Sequence, residues 1–208
     1  MRRPSVVEAW GSSSDERAAA YPCDGLIDRP DGAVFRAVEI AAPADLVFRW
    51  LCQLRVAPYS YDWIDNLGRR SPREVIDGLD QLEVGQRFMK MFRLVAFEAD
   101  RSITFDSTTA VFGRVAGTYL VVPTDTNRSR LVAKLVYIAP SGPYGWLLRR
   151  LLPAGDMIMM RKQLLTLKAL IERDAQRARD DADHTHQRTS PRPRVSPPIE
   201  ARRPASGT

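Results

Sequence analysis

Cysteine and histidine are nearly absent from this chain. Its 208 residues include two cysteines, Cys23 and Cys52, and two histidines, His184 and His186. The cysteines form no CxxC pair and have no histidine near them in sequence. A disulfide framework and a zinc site are therefore unsupported. Cys52 falls in an apolar helical pattern, the setting of a small core residue rather than a nucleophile. The two histidines sit in a polar C-terminal stretch with no further ligand nearby. An HxH pair there reads as solvated tail, so no metal is expected. Long apolar runs are also missing. None approaches the ~18 or more residues that span a bilayer. Met1, Arg2, Arg3 and Pro4 carry positive charge with no apolar segment behind them, which argues against a secretory signal. These absences lead to an expectation of a cytoplasmic chain without stable membrane insertion. There is no G-x-S-x-G elbow, Walker loop or dinucleotide fingerprint. The Cys/His set of a Rieske cluster is missing too. No cofactor is implied.

What the chain does have is charge, ordinary hydrophobic content and strong periodicity. The formal net charge is +6, with a sequence pI of about 9.7. Such a balance favours anionic partners. Here arginines are spread along the whole chain among acids, with no RNA-binding aromatic motif and no helix-turn-helix pattern. Nucleic acid is not an expected partner. A hydrophobic fraction of 44% fits a globular protein.

The spacing divides the chain into three parts: residues 1–32, 33–173 and 174–208. In the first, Ser13 and Glu16 have the S-x-x-E spacing of a capping box, which predicts a short helix to Ala20. Alternation predicts a strand over Ala33 to Ile40, with Val34, Arg36, Val38 and Ile40 on one side. Pro43 suits a first helical turn. Val47, Trp50, Leu51 and Leu54 then mark one buried helical face, ending before Pro58. Tyr59 to Asn66 is aromatic and acidic, and is expected to form one or two helical turns. Residues 67–84 read as loop.

A strand-rich stretch follows. It comprises one long strand or tight hairpin over Phe88 to Phe97, then strands over Ile103 to Thr109, Gly113 to Val122 and Ser129 to Ile138. Pro123 is expected to close the third. Short strands with no helices between them indicate an antiparallel sheet. A short helix over Tyr144 to Leu152 should end at Pro153 and Gly155. Asp156 then caps a last helix whose stripe runs Met157, Met160, Leu164, Leu167 and Ile171. A one-sided helix of that length must pack on the sheet. From about Asp174 the apolar pattern fades into Pro, Arg, Ser and Asp, and a disordered tail is expected.

This order of elements resembles the START-like, or helix-grip, superfamily, and within it polyketide cyclase/dehydrase-type SRPBCC proteins. The likeness is carried by Arg36 to Ile40 running into Ala42 to Leu51, by Tyr59 to Asn66, by Leu82 to Arg87 and by Met159 to Leu164. It covers roughly Trp10 to Arg173. The resemblance implies an α+β helix-grip fold, a curved antiparallel sheet wrapped around a long C-terminal helix. It also implies a cavity between them near the loops and the second helix. Fold alone does not fix function.

Three functional readings stay open. The first is binding of a hydrophobic small molecule, lipid-like or polyketide-like, in the cavity. The second is a polyketide cyclase, aromatase or dehydratase acting there, with Tyr61, Asp62 and Asp65 as candidate catalytic groups. The third is a non-catalytic interaction module using the basic tail or the helix around Trp146. That helix sets Trp146, Leu147, Leu148, Leu151 and Leu152 beside Arg149 and Arg150, a pattern of interfacial helices and equally of packing at a sheet edge.

Tyr59, Tyr61, Trp63 and Asn66 are candidate ligand contacts, because aromatic surface with polar handles suits such a pocket. Core closure explains the same residues. Tyr119, Met157 and Met160 join them as pocket lining. Lys134 sits between Val132 and Val136; facing inward it would orient an anionic group, facing outward it would be solvated. Arg93, Glu98 and Asp106 are the other strand-borne polar groups. None forms a pair whose spacing establishes acid–base work. Arg69, Arg70 and Arg73 make a basic loop.

Overall fold

The structure is a computed structural model, and it describes residues 5–61 and 70–189. Seven strands form one open sheet in the order β1-β2-β7-β6-β5-β4-β3. They are β1 (Ala9–Trp10), β2 (Gly32–Ile40), β3 (Arg87–Phe88), β4 (Phe92–Glu98), β5 (Ser102–Thr109), β6 (Gly113–Asp125) and β7 (Arg128–Ile138). Among the described residues three α-helices accompany them: α1 (Ser14–Ala18), α2 (Ala44–Cys52) and α3 (Gly142–Thr189). The sheet from β2 to β3 is antiparallel, while β1 pairs parallel with β2. The sheet is therefore mixed, where a purely antiparallel one was expected. The architecture is the α+β helix-grip fold, with α3 laid across the inner face.

Local chemistry accounts for most boundaries. Ser13 accepts from the Glu16 N–H at 3.1 Å, and Glu16 accepts from the Ser13 N–H at 2.7 Å, so the capping box closes α1. Pro43 is the N-cap of α2, whose Val47, Trp50 and Leu51 are buried. The long-strand alternative over residues 88–97 resolves into a hairpin. Its turn at Met89 and Lys90 has φ of 44° and 63°, the left-handed region that side chains disfavour. Pro123 does not end β6. The ladder shifts register between Pro123 and Asp125, and such irregularities tolerate a residue with no N–H to donate.

Two cores form, one on each side of the sheet. Inside, Val34, Val38, Leu131, Ala133, Tyr119 and Phe105 meet α2 and the α3 residues Leu164, Leu167, Leu170 and Ile171. Each such aliphatic side chain contributes about 1.5–3 kcal/mol of apolar burial. Outside, Phe35, Ala37, Ala116, Val132 and Val136 would be an exposed greasy face. Residues of the N-terminal segment cover it: Tyr21, Cys23 and Ile27 are buried there. The Cys23 N–H donates to Thr118 Oγ1 at 3.1 Å. The N-terminal segment is thus packed into the same folded unit as the sheet.

Helix α3 departs from expectation at both ends. It runs through Pro153 as one helix, where two were expected. A proline removes a single helical bond. Here the buried Arg36 guanidinium lies against that turn, donating to the Pro153 carbonyl at 3.2 Å. At the far end the last buried residue among those whose burial is described is Ala175, yet the helix continues to Thr189. Ala, Arg and Gln favour helix without needing a packed face, and Gln176 Nε2 donates to Asp180 Oδ1 at 2.7 Å one turn on. Residues 190–208 of the expected tail lie outside the described residues.

Candidate functional site

Between the inner sheet face and α3, at the β3–β4 end, the interior opens into a cavity of about 400 Å³. Helix α3 contributes Asp156, Met159, Met160 and Gln163. These stand at i, i+3, i+4 and i+7, one helical face. The sheet contributes Phe92, Phe105, Tyr119 and Leu135, and Pro58, Ser60 and Met89 complete the wall. Exposed Lys90 and Met91 stand at the rim. Gly117 helps shape it. A Cβ there would come within 2.6 Å of the Phe105 ring, so glycine lets that ring lie flat on β6.

The wall is mostly apolar and carries two polar clusters. In the first, Tyr119 donates its phenolic proton to Gln163 Oε1 at 2.5 Å, and Gln163 Nε2 donates to the Pro58 carbonyl at 2.6 Å. The sulfurs of Met89 and Met160 lie 3.8 and 3.7 Å from the phenol oxygen. Burial pushes the Tyr119 phenol far above its ordinary pKa of 10.0, so it stays neutral. In the second, Arg36 Nη2 stands 2.7 Å from Asp156 Oδ2. The Arg36 side chain is 0% exposed, and Nη1 donates to the Phe35 carbonyl at 2.8 Å. Burial pushes the Asp156 carboxyl up to about 6, with the Arg36 charge opposing it. Burial likewise lowers the Arg36 pKa, against the pull of Asp156. Removing either partner leaves a buried charge without its counterion.

Among the residues singled out from sequence, Tyr119 and Met160 line this cavity. Tyr59 is 1% exposed, with its ring edge-on to Trp50 at 5.9 Å and its backbone at φ 54°. It packs in the core and borders a pocket of about 120 Å³. Tyr61 and Met157 instead line a shallow groove of about 850 Å³ beside Arg73, Arg161 and Lys162. That groove is the larger space; it runs along α3 outside the interior, with Val7, Ile158 and Leu165 also in its lining. Asp62, Trp63, Asp65, Asn66 and Arg69 lie outside the described residues.

Lys134, a candidate ligand contact, does not line the cavity: of the two orientations left open it takes the outward one. Its strand position alternates with Ala133 and Leu135, so it points to the outer face. Nor is it solvated, because the N-terminal segment covers that face. Its ammonium lies 2.5 Å from Asp24 Oδ1 and over the rings of Tyr21 and Phe35, at 5.0 and 5.2 Å. An ion pair and two cation–π contacts satisfy it there.

Among the polar residues at the site, Arg36, Asp156 and Gln163 escaped sequence reasoning, as did the lining residues Pro58, Ser60, Met89, Phe92, Phe105, Leu135 and Met159. Arg36 alternates with Val34 and Val38, a signal that it points inward. Asp156 and Gln163 fall on the Met160 face at helical spacing, a signal masked by following only the apolar stripe.

No family model matches the sequence. No curated protein matches it either. Solved structures similar to it include the Zhui aromatase/cyclase from Streptomyces sp. R1128, at 16% identity over 70% of this chain and 93% of that one, with a TM-score of 0.41. Protein CV1439 from Chromobacterium violaceum is similar at 14% identity over 68% and 98%, with a TM-score of 0.45. TTHA0849 from Thermus thermophilus is similar at 20% identity over 67% and 96%, with a TM-score of 0.42. Likeness at this level carries no argument about chemistry. The fold assignment rests on the chain's own topology.

Proposed function

We propose that this chain binds a hydrophobic small molecule, lipid-like or polyketide-like, in the cavity beneath α3. One observation carries the reading: a pocket of about 400 Å³ opening beneath α3, walled by aromatic, leucine and methionine side chains and carrying the polar groups of Tyr119, Gln163 and Asp156. That volume lies within the roughly 300–1,000 Å³ range of small-molecule sites, which combine apolar walls with a few polar groups. Apolar burial at roughly 25 cal/mol per Å² would drive binding. Three methionines, Met89, Met159 and Met160, give the wall an adaptable, polarizable lining. Tyr119, Gln163 and Asp156 would orient a ligand carbonyl or hydroxyl.

Native mass spectrometry after gentle purification tests this reading. The expected result is a co-purifying mass, or uptake of one from a panel of fatty acids and aromatic polyketides. Repeated recovery of bare protein with no uptake would refute it.

A catalytic reading, a cyclase or dehydratase acting in the same space, draws support from Asp156. A carboxyl held near pKa 6 can both hold and release a proton close to neutrality. Turnover of a poly-β-ketone that is lost in Asp156→Asn while the cavity still binds would support it. Binding without any turnover in wild-type protein would leave the carrier reading.

A further inference from the structure

The first third of α3 faces solvent with apolar side chains. Tyr144, Leu147, Leu151 and Ile158 are spaced three, four and seven apart, so they share one helical face. All are exposed, with Leu151 at 57% and Ile158 at 59%. Trp146, also 57% exposed, stands on the flank of this stripe. Packing at a sheet edge therefore does not account for these residues: Leu148 and Leu152 are the partly buried leucines of this segment. A second segment extends the patch. Val111 and Phe112, at the β5–β6 turn, are exposed as well. The Tyr144 hydroxyl donates to the Val111 carbonyl at 3.0 Å and ties the turn to the helix.

The charge around this face is mostly positive, with Asp31 and Asp156 the acids beside it. Neither residues 107–124 nor residues 126–155 contain an aspartate or glutamate. Arg114 follows the turn, and Arg149 and Arg150 flank the stripe. Arg149 reaches back to Asp31 at 2.8 Å. The Arg150 guanidinium lies over the Trp146 ring at 4.8 Å, and Arg150 forms no ion pair among the described residues. Leucines that bury at the acyl boundary, a tryptophan and a tyrosine with polar tips, and arginines for the headgroups make an interfacial helix. Among the described residues no helix is long and apolar enough to cross a membrane, so such contact is with a surface.

We propose that this face, α3 from Tyr144 to Ile158 with the Val111–Phe112 turn, docks on an anionic lipid surface. The apolar stripe enters the headgroup boundary while Arg114, Arg149 and Arg150 meet lipid phosphates. The proposal does not depend on what the cavity holds.

Cosedimentation of the full chain with vesicles tests it, comparing phosphatidylcholine alone with phosphatidylcholine containing phosphatidylglycerol. The expected result is binding to the anionic vesicles, weakened by added salt and weaker on the neutral ones. Leu147→Glu with Leu151→Glu should lower the vesicle affinity by about tenfold or more, because each leucine's burial is lost. A thermal melt confirms that this variant folds. Trp146→Ala with Arg150→Ala serves as a second, milder probe and should weaken binding in the same direction. No binding to anionic vesicles would overturn the proposal. So would equal binding by both variants. A leucine variant that converts a wild-type dimer to monomer, in protein that ignores vesicles, would overturn it and assign the face to a second copy of the chain.

Discussion

The two faces of the sheet are built from the same strands and end differently. The outer face is sealed. Tyr21, Cys23 and Ile27 cover its apolar centre, Lys134 meets Asp24, and the hydroxyls of Thr104 and Thr118 bond each other at 3.0 Å. The inner face is solid where α2 and the later turns of α3 pack on it, and hollow toward β3 and β4. There the polar groups Tyr119, Gln163 and Asp156 stand on a cavity wall, with Arg36 paired to Asp156 behind it, instead of being excluded from the interior. A protein that needs only stability fills its core. The proposed guest binding rests on this contrast.

Substitutions can sharpen or break this contrast. The largest effect is expected at Arg36, on the inner side. Arg36→Ala leaves Asp156 buried without its counterion and should cost about 3–5 kcal/mol in urea denaturation. Arg36→Met combined with Asp156→Leu should recover most of that loss, since an apolar pair of similar volume needs no counterion. Next comes Ile27→Ala on the outer face. Being 2% exposed, it should cost about 2–5 kcal/mol by leaving a void, with ligand uptake unchanged in the fraction that stays folded. A matching loss of uptake would break the separation of the two faces. Tyr119→Phe should cost only about 0.5–1.5 kcal/mol of stability, yet alter guest affinity, because it removes the phenol that holds Gln163 in place on the cavity wall.

A pH dependence gives a further test of the inner side. The Asp156 pKa is raised from 3.8 to about 6 in the folded protein. Between those values the folded chain holds a proton that the unfolded chain has released. Stability therefore falls as pH rises through that window and levels off above it. Asp156→Asn should remove this contribution, seen as a flatter denaturation midpoint between pH 4 and pH 6.

Much of the fold was legible from local patterns. Alternation along β2, β5, β6 and β7 marked the strands, and the Ser13–Glu16 spacing marked α1. The stripe from Met160 to Ile171 identified the gripped helix. Three of the misreadings share a cause: each turned on a contact distant in sequence. Pro153 looks like a helix end until Arg36, more than a hundred residues earlier, binds its carbonyl. Lys134 reads as solvated or cavity-facing until Asp24 and Tyr21 are laid over it. Asp156 reads as a cap because its chain neighbours are Gly155 and Met157, whereas its partner is on β2. At the site, Tyr119 and Met160 were legible because they share alternation and helical period with the core. Arg36 and Gln163 were not, because a polar residue inside an apolar pattern does not by itself signal a cavity.

The most direct test is an equilibrium titration of an apolar fluorescent guest against wild-type protein and Leu135→Trp. Leu135 lines the cavity and is 8% exposed, so the larger side chain fills the space the guest would use. Saturable uptake by the wild type, abolished in a Leu135→Trp protein that still unfolds cooperatively, is expected. Undiminished uptake in that variant, or none in the wild type, would contradict a guest-binding chamber beneath α3.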